Sequence, residues 1–164
     1  MGDIRRASAT TAHKEHAMPI STTVTSEDLD FLGSRARILT DGDRTDGRYS
    51  LIDMIEVPAG HMPPLHVHHA EDEAFYILGG QVTLHLPGQQ IDAVPGDYIL
   101  APRGVPHAYE VGDQPARWLV LTSPSGFERF VIAAAALDEP DPARLAAIAT
   151  ENNIEILGPP GMLP

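Results

Sequence analysis

The sequence predicts an all-β fold, an antiparallel sandwich or barrel, and three observations carry that expectation. From Arg37 onward the apolar runs are short, as strands are. Turn-forming residues cut them at about every eight to twelve positions, at Pro58 and Gly60, Gly79-Gly80, Pro87-Gly88, Pro95-Gly96 and Arg103-Gly104. The chain has 164 residues, 43% of them hydrophobic, which provides for one core.

Taken in order, residues 1–36 are polar and weakly periodic, and read as an N-terminal arm that is disordered or docks elsewhere. "RYSLIDMIEVPAG" is a strand ended by Pro58 and Gly60. "EAFYILGGQVTLHLPGQ" reads as a hairpin turning at Gly79-Gly80, with Pro87-Gly88 closing its second strand. "DAVPGDYILAPRGVPHAYEV" supplies two more strands and "RWLVLTSPSG" the last, so the barrel occupies 37–125. After Ser125 the period changes. "GFERFVIAAAALDE" and "DPARLAAIATENN" read as two short helices, the second with Asp141 as its N-cap and Pro142 at its first position. Residues 126–164 are therefore a C-terminal helical extension, in which "ILGPPGMLP" is an irregular stop.

Charge excludes some partners. The net charge is −12 and the 11 basic residues are scattered, so nucleic acid and anionic membrane surfaces are not expected to bind. Without cysteine there is no disulfide framework, thiolate metal site or thiol nucleophile. No apolar leader or membrane-length run is visible, and a cytoplasmic location is the expectation.

The densest chemistry lies between His61 and Glu73, in "HMPPLHVHHAEDE". On an extended chain His66 and His68 project from one face while Val67 points away. Glu73 opens the next strand on the face of Phe75 and Ile77. A carboxylate turned toward a core needs a positive partner, and no Lys or Arg is near it in sequence. A divalent cation would serve, with His107 of "PRGVPHAY" as fourth ligand from a later strand. Three imidazoles and a carboxylate suit Fe, Mn, Ni, Co, Cu or Zn, and suit Ca or Mg poorly.

The same stretch resembles the first motif of the cupin superfamily, G(X)5HXH(X)3,4E(X)6G, met at Gly60, His66, His68, Glu73 and Gly80. The second motif, G(X)5PXG(X)2H(X)3N, is met at Gly96, Pro102, Gly104 and His107, with Val111 in place of its final Asn. The resemblance implies a double-stranded β-helix, the jelly-roll cupin barrel, in a single-domain protein. It also implies that His66, His68, Glu73 and His107 bind a divalent transition metal. "EDEAFYILGG", "PGDYILAPRGVPHAY" and "SPSGFERFV" look like quercetin 2,3-dioxygenase-like bacterial monocupins. That narrower likeness implies a dioxygenase acting on a small enol or flavonol-like aromatic substrate, with Glu73 as general base. Two alternatives stand beside it: an isomerase, cyclase or lyase that uses no oxygen, and a small-molecule-binding cupin without turnover. Such cupins are commonly homodimers, with arm exchange that would give residues 20–36 a place.

The remaining residues receive plainer readings. His69 and Glu71 are expected to be solvated loop residues, with support behind a metal-binding side chain as the lesser alternative, and His61 to face outward near the barrel mouth. His85 should be a surface histidine, and Arg103 a turn residue. Tyr76, Tyr98, Tyr109 and Trp118 read as core or interface, with Met54, Phe75 and Ile77 facing the pocket.

Overall fold

Strands with one apolar row each are stable only when that row is covered, and here two sheets cover one another. The protein is described by a computed structural model that covers residues 26–137 and 141–164. In chain order the elements are β1 (Leu29–Phe31), β2 (Ser34–Thr40), α1 (Gly42–Thr45), β3 (Ser50–Val57), β4 (Pro64–His68), β5 (Asp72–Gly79) and β6 (Val82–Leu86). They continue with β7 (Gln89–Ala93), β8 (Tyr98–Ala101), β9 (Ala108–Val111), β10 (Ala116–Ser123), α2 (Phe127–Ala135), α3 (Pro142–Glu151) and β11 (Ile154–Pro160).

One sheet runs β1-β2-β3-β10-β5-β8, and every pairing in it is antiparallel. The other layer is built from β7-β6-β9 and β11-β4, linked by a single bridge between His66 and His107. This is the jelly roll expected from the sequence. Alternation decides which side chains face inward: Ile52 and Met54, Phe75 and Ile77, Trp118 and Val120 from the large sheet, Val82 and Leu84 from the small one.

The hairpin expected at Gly79-Gly80 is absent. β5 pairs with β10 and β8, whereas β6 pairs with β7 and β9, so the chain changes sheets at these glycines. The tight hairpin is β6–β7, turning at Pro87-Gly88. Backbone proximity explains the crossing. Gly80 has φ 74°, and a Cβ there would lie 2.7 Å from Pro115 O and 2.7 Å from Ala116 Cα.

Both ends of the chain also differ from the expectation. Residues 1–25 lie outside the described part, but the arm's remainder holds β1 and the start of β2, joined by Leu32 and Gly33 at φ 50° and 81°. Phe31 is their anchor, with ring centroids 6.3 Å from Phe127 and 5.8 Å from Phe130. A three-residue strand is too short to show a period. At the other end both helices form, and Asp141 caps α3 by accepting from the amides of Ala143 and Arg144. The supposed irregular stop is strand β11, which pairs with β4 and sets Ile154 opposite His68 and Ile156 opposite His66.

A left-handed backbone costs a non-glycine residue about 1–2 kcal/mol, so Gly88→Ala, at φ 70° with open space around it, should lose about that much stability. Gly80→Ala adds a clash with backbone, and should lose at least about 1 kcal/mol more. Urea denaturation of the two variants in parallel measures the difference.

Candidate metal centre

Four side chains from three segments meet inside the barrel. His66 and His68 share one face of β4, as their spacing predicts. Glu73 faces inward from β5 with Phe75, and His107 lies just before β9. Reciprocal backbone hydrogen bonds tie the two histidine segments: the His66 amide donates to His107 O at 3.2 Å and the His107 amide to His66 O at 2.9 Å. One donor atom from each of the four residues lies within 4.8 Å of the others. His68 and His107 are 1% exposed and Glu73 is 3% exposed.

Partners on the far side of each ring settle what the near side presents. His66 Nδ1 donates to the Pro64 carbonyl at 2.8 Å, and His107 Nδ1 to the Val105 carbonyl at 3.1 Å. A carbonyl only accepts, so a neutral ring that makes this bond presents its lone pair on Nε2. His68 follows the same rule, because Nδ1 faces the Glu71 carboxylate at 3.1 Å. Those Nε2 atoms meet another acceptor. Glu73 Oε2 lies 3.0 Å from His107 Nε2 and 3.4 Å from His68 Nε2, and the buried His68 Nε2 has no aligned hydrogen-bond partner. Acceptors facing acceptors at these distances require a positive charge between them. An extra proton can supply it, and so can a metal cation, which this donor set fits.

The protonation preferences agree with that reading. Burial raises the Glu73 carboxyl, but His68, His107 and His66 together outweigh it and bring it down to about 2. Burial, then the neighbouring His107 and His68, lowers His66 to about 3, so it is neutral and free to bind a cation. Burial opposes the charged form of His68 too, but Glu73 and Glu71 outweigh it and raise its pKa. A cation would displace that proton.

Several plainer expectations need correction. Glu71 is not a solvated loop residue: it is 1% exposed and bonded to His68. His61 does not face outward; it is half-buried in the cavity wall, stacked on Tyr109 with centroids 6.0 Å apart. His85 is 8% exposed, flanked by Gln90 of β7 and with Nε2 3.5 Å from Glu110 of β9. Of the core-or-interface reading of Tyr76 and Tyr98 only the core half fails: they are solvent-exposed cross-strand partners. Other readings agree with the structure. His69 is exposed, 2.9 Å from Glu155, and Arg103 ties its turn to Asp72 at 2.9 Å.

His66 and Glu73 open onto a cavity of about 50 Å³. The barrel contributes Met54, Phe75, Tyr109 and Trp118 to its wall, while Ile77 belongs to the core beyond it. Phe127, Leu145 and Ile156 close it from α2, α3 and β11. The wall's C-terminal share was not foreseen, although Ile154 and Ile156 flanking Glu155 already show a strand's alternation. Burial, with a smaller push from Glu73, raises the Tyr109 hydroxyl and keeps it protonated.

Comparison with known proteins matches residues 53–122 to the cupin domain family. Residues 53–122 carry a cupin domain. It is 32% identical over 94 residues to quercetin 2,3-dioxygenase of Bacillus subtilis (strain 168), covering 57% of this chain and 28% of that protein. It is 38% identical over 69 residues to dimethylsulfoniopropionate lyase DddQ of Ruegeria pomeroyi, covering 42% of this chain and 34% of that one. The match thus spans about a third or less of both relatives. Among solved structures, the polyketide cyclase RemF from Streptomyces resistomycificus aligns with a TM-score of 0.55 and 26% identity, over 65% of this chain and 81% of RemF. An RmlC-like cupin from Shewanella frigidimarina aligns at 0.53 and 16%, over 72% and 93%, which supports the fold alone.

The depressed Glu73 carboxyl makes a signed prediction for metal-free protein. A pKa held below its unfolded value contributes stability above about pH 4.5 that is lost as pH falls toward 2. Glu73→Gln should flatten that loss in acid unfolding followed by circular dichroism. Equal acid sensitivity in the two proteins would contradict it.

Proposed function

We propose that this cupin is a metal-dependent enzyme in which His66, His68, Glu73 and His107 hold a divalent transition metal. We infer further that it is a dioxygenase acting on a small enol or flavonol-like aromatic substrate. The observation that carries the proposal is the convergence of three imidazole lone pairs on one buried carboxylate at the base of an apolar cavity. Likeness to quercetin 2,3-dioxygenase supports the oxygenase reading.

A bound cation would supply Lewis acidity toward a substrate hydroxyl or enol, lowering its pKa. The protein's own residues account for the rest. Glu73, partly released from the cation, would accept the substrate proton as general base. Tyr109 keeps its proton and can donate to a substrate oxygen. Phe75, Trp118 and Phe127 exclude water, which strengthens both interactions. Among the described residues no Lys or Arg lines the cavity, which favours a neutral substrate over an organic acid or phosphate. A volume of about 50 Å³ favours the small end of the range, since a drug-sized ligand usually occupies about 300–1,000 Å³. A full flavonol enters only if the C-terminal cover shifts.

A second reading keeps the metal and omits oxygen. Likeness to RemF, described as a polyketide cyclase, and to a lyase favours an isomerase, cyclase or lyase in which Glu73 only moves a proton.

Metal analysis should find a transition ion in protein purified without added metal. His66→Ala and His107→Ala should each lose far more affinity than the about 10–100-fold expected for partners outside the ligand set. Metal-loaded protein should consume oxygen with small neutral enols; turnover without oxygen selects the second reading. Failure to bind Fe, Mn, Ni, Co, Cu and Zn alike sinks both.

We propose a homodimer as well. Tyr76, Leu78, Tyr98, Leu100 and Leu121 are exposed together on the outer face of the large sheet, an apolar patch that a second copy would cover. Light scattering should give twice the chain mass of 17.7 kDa, and Tyr98→Lys should lower it.

A further inference from the structure

Glu71 is the one acid of the "HHAEDE" stretch that is fully buried without belonging to the four-residue cluster. Its Oε1 accepts from His68 Nδ1 at 3.1 Å, and among the described residues this is the only side chain that binds it. The other two histidines of the cluster rest on backbone carbonyls, Pro64 for His66 and Val105 for His107. His68 alone is held by a charged group.

The carboxylate has support of its own. Helix α2 starts beside it: a Cβ built on Gly126, the residue before the helix, would lie 3.8 and 4.0 Å from its two oxygens. The positive end of a helix axis favours a carboxylate there. Phe127, the first residue of α2, packs edge-on against the His68 ring with centroids 5.2 Å apart. From the other side His107 stacks on that ring at 5.6 Å and 12°. The ring is therefore confined by packing and its tautomer chosen by Glu71.

We propose that Glu71 is a positioning residue, which locks His68 with Nδ1 protonated and Nε2 aimed at the centre of the cluster. The inference rests on the metal-site reading and extends it from the four donors to the group behind one of them. Hydrogen bonds from ligating histidines to carboxylates fix ring orientation, and their loss typically lowers metal affinity about 10–100-fold. The two carbonyl-bonded rings cannot lose their anchor by side-chain mutation, so Glu71 is the point where the cluster can be loosened without touching a donor.

The probe is Co²⁺ added to metal-free wild-type protein, to Glu71→Gln and to Glu128→Gln. Glu128 is a control buried to a similar degree: it caps α2 by accepting from the Gly126 and Gly42 amides and takes no part in the cluster. Glu71→Gln should bind Co²⁺ about 10–100-fold more weakly and shift its visible bands. Glu128→Gln should lower the melting temperature while keeping wild-type bands. Glu71→Gln that loads with wild-type affinity and wild-type bands overturns the inference and leaves the metal site standing. Wild-type protein that takes up no Co²⁺ overturns both. Should Glu71→Gln not fold, ¹H–¹⁵N NMR of Zn²⁺-loaded wild type decides. The His68 Nδ1 proton should resonate downfield of those of His66 and His107, and equal shifts overturn the inference.

Discussion

A carboxylate buried where three imidazole lone pairs converge is the constraint on which the rest of this structure depends. Taking one unpaired ionised carboxylate out of water costs several kcal/mol, and neutral imidazoles presenting lone pairs do not offset it. The arrangement is stable only with positive charge at its centre. That requirement explains why the two histidine segments are stapled through reciprocal backbone bonds between His66 and His107. It also explains why each ring has an acceptor behind it: the acceptors take the Nδ1 proton and leave the inner nitrogen free.

The strand that carries two of these histidines would otherwise be a sheet edge. β4 meets the rest of its layer through one bridge, and β11 supplies its main partner from the far end of the chain. α2 then packs Phe127 against His68 and presents its first turn to Glu71. Residues 126–164 thus bear on the site three times: as partner strand, as support behind a histidine, and as cover for the cavity. Their contribution is tertiary, since the partner strand and the support reach back to residues between Pro64 and Glu71 and the cover lies over wall residues such as Met54 and Trp118.

This division also bears on why the match to a cupin domain leaves the chemistry open. The matched segment, residues 53–122, contains the four clustered residues and the barrel wall. Phe31, Phe127, Leu145 and Ile156 lie outside it, and they set the size and shape of the cavity. Proteins that share the barrel can therefore carry names as different as dioxygenase, lyase and cyclase.

The sequence by itself determined what short-range rules govern. Two-residue alternation put His66 with His68 and Glu73 with Phe75 and Ile77, and motif spacing added His107. Asp141-Pro142 marked the start of α3 for the same reason: a cap depends only on its next three residues. Tertiary structure decided what depends on partners distant in the chain. It sent β5 and β6 to different sheets at Gly80, because Pro115 and Ala116 lie against that glycine. It made a strand of Ile154–Pro160 because β4 had an edge to fill, and buried Glu71 because α2 closes over it. Solvation of a side chain is set by what folds on top of it, and for Glu71, His61 and His85 that cover comes from other segments of the chain.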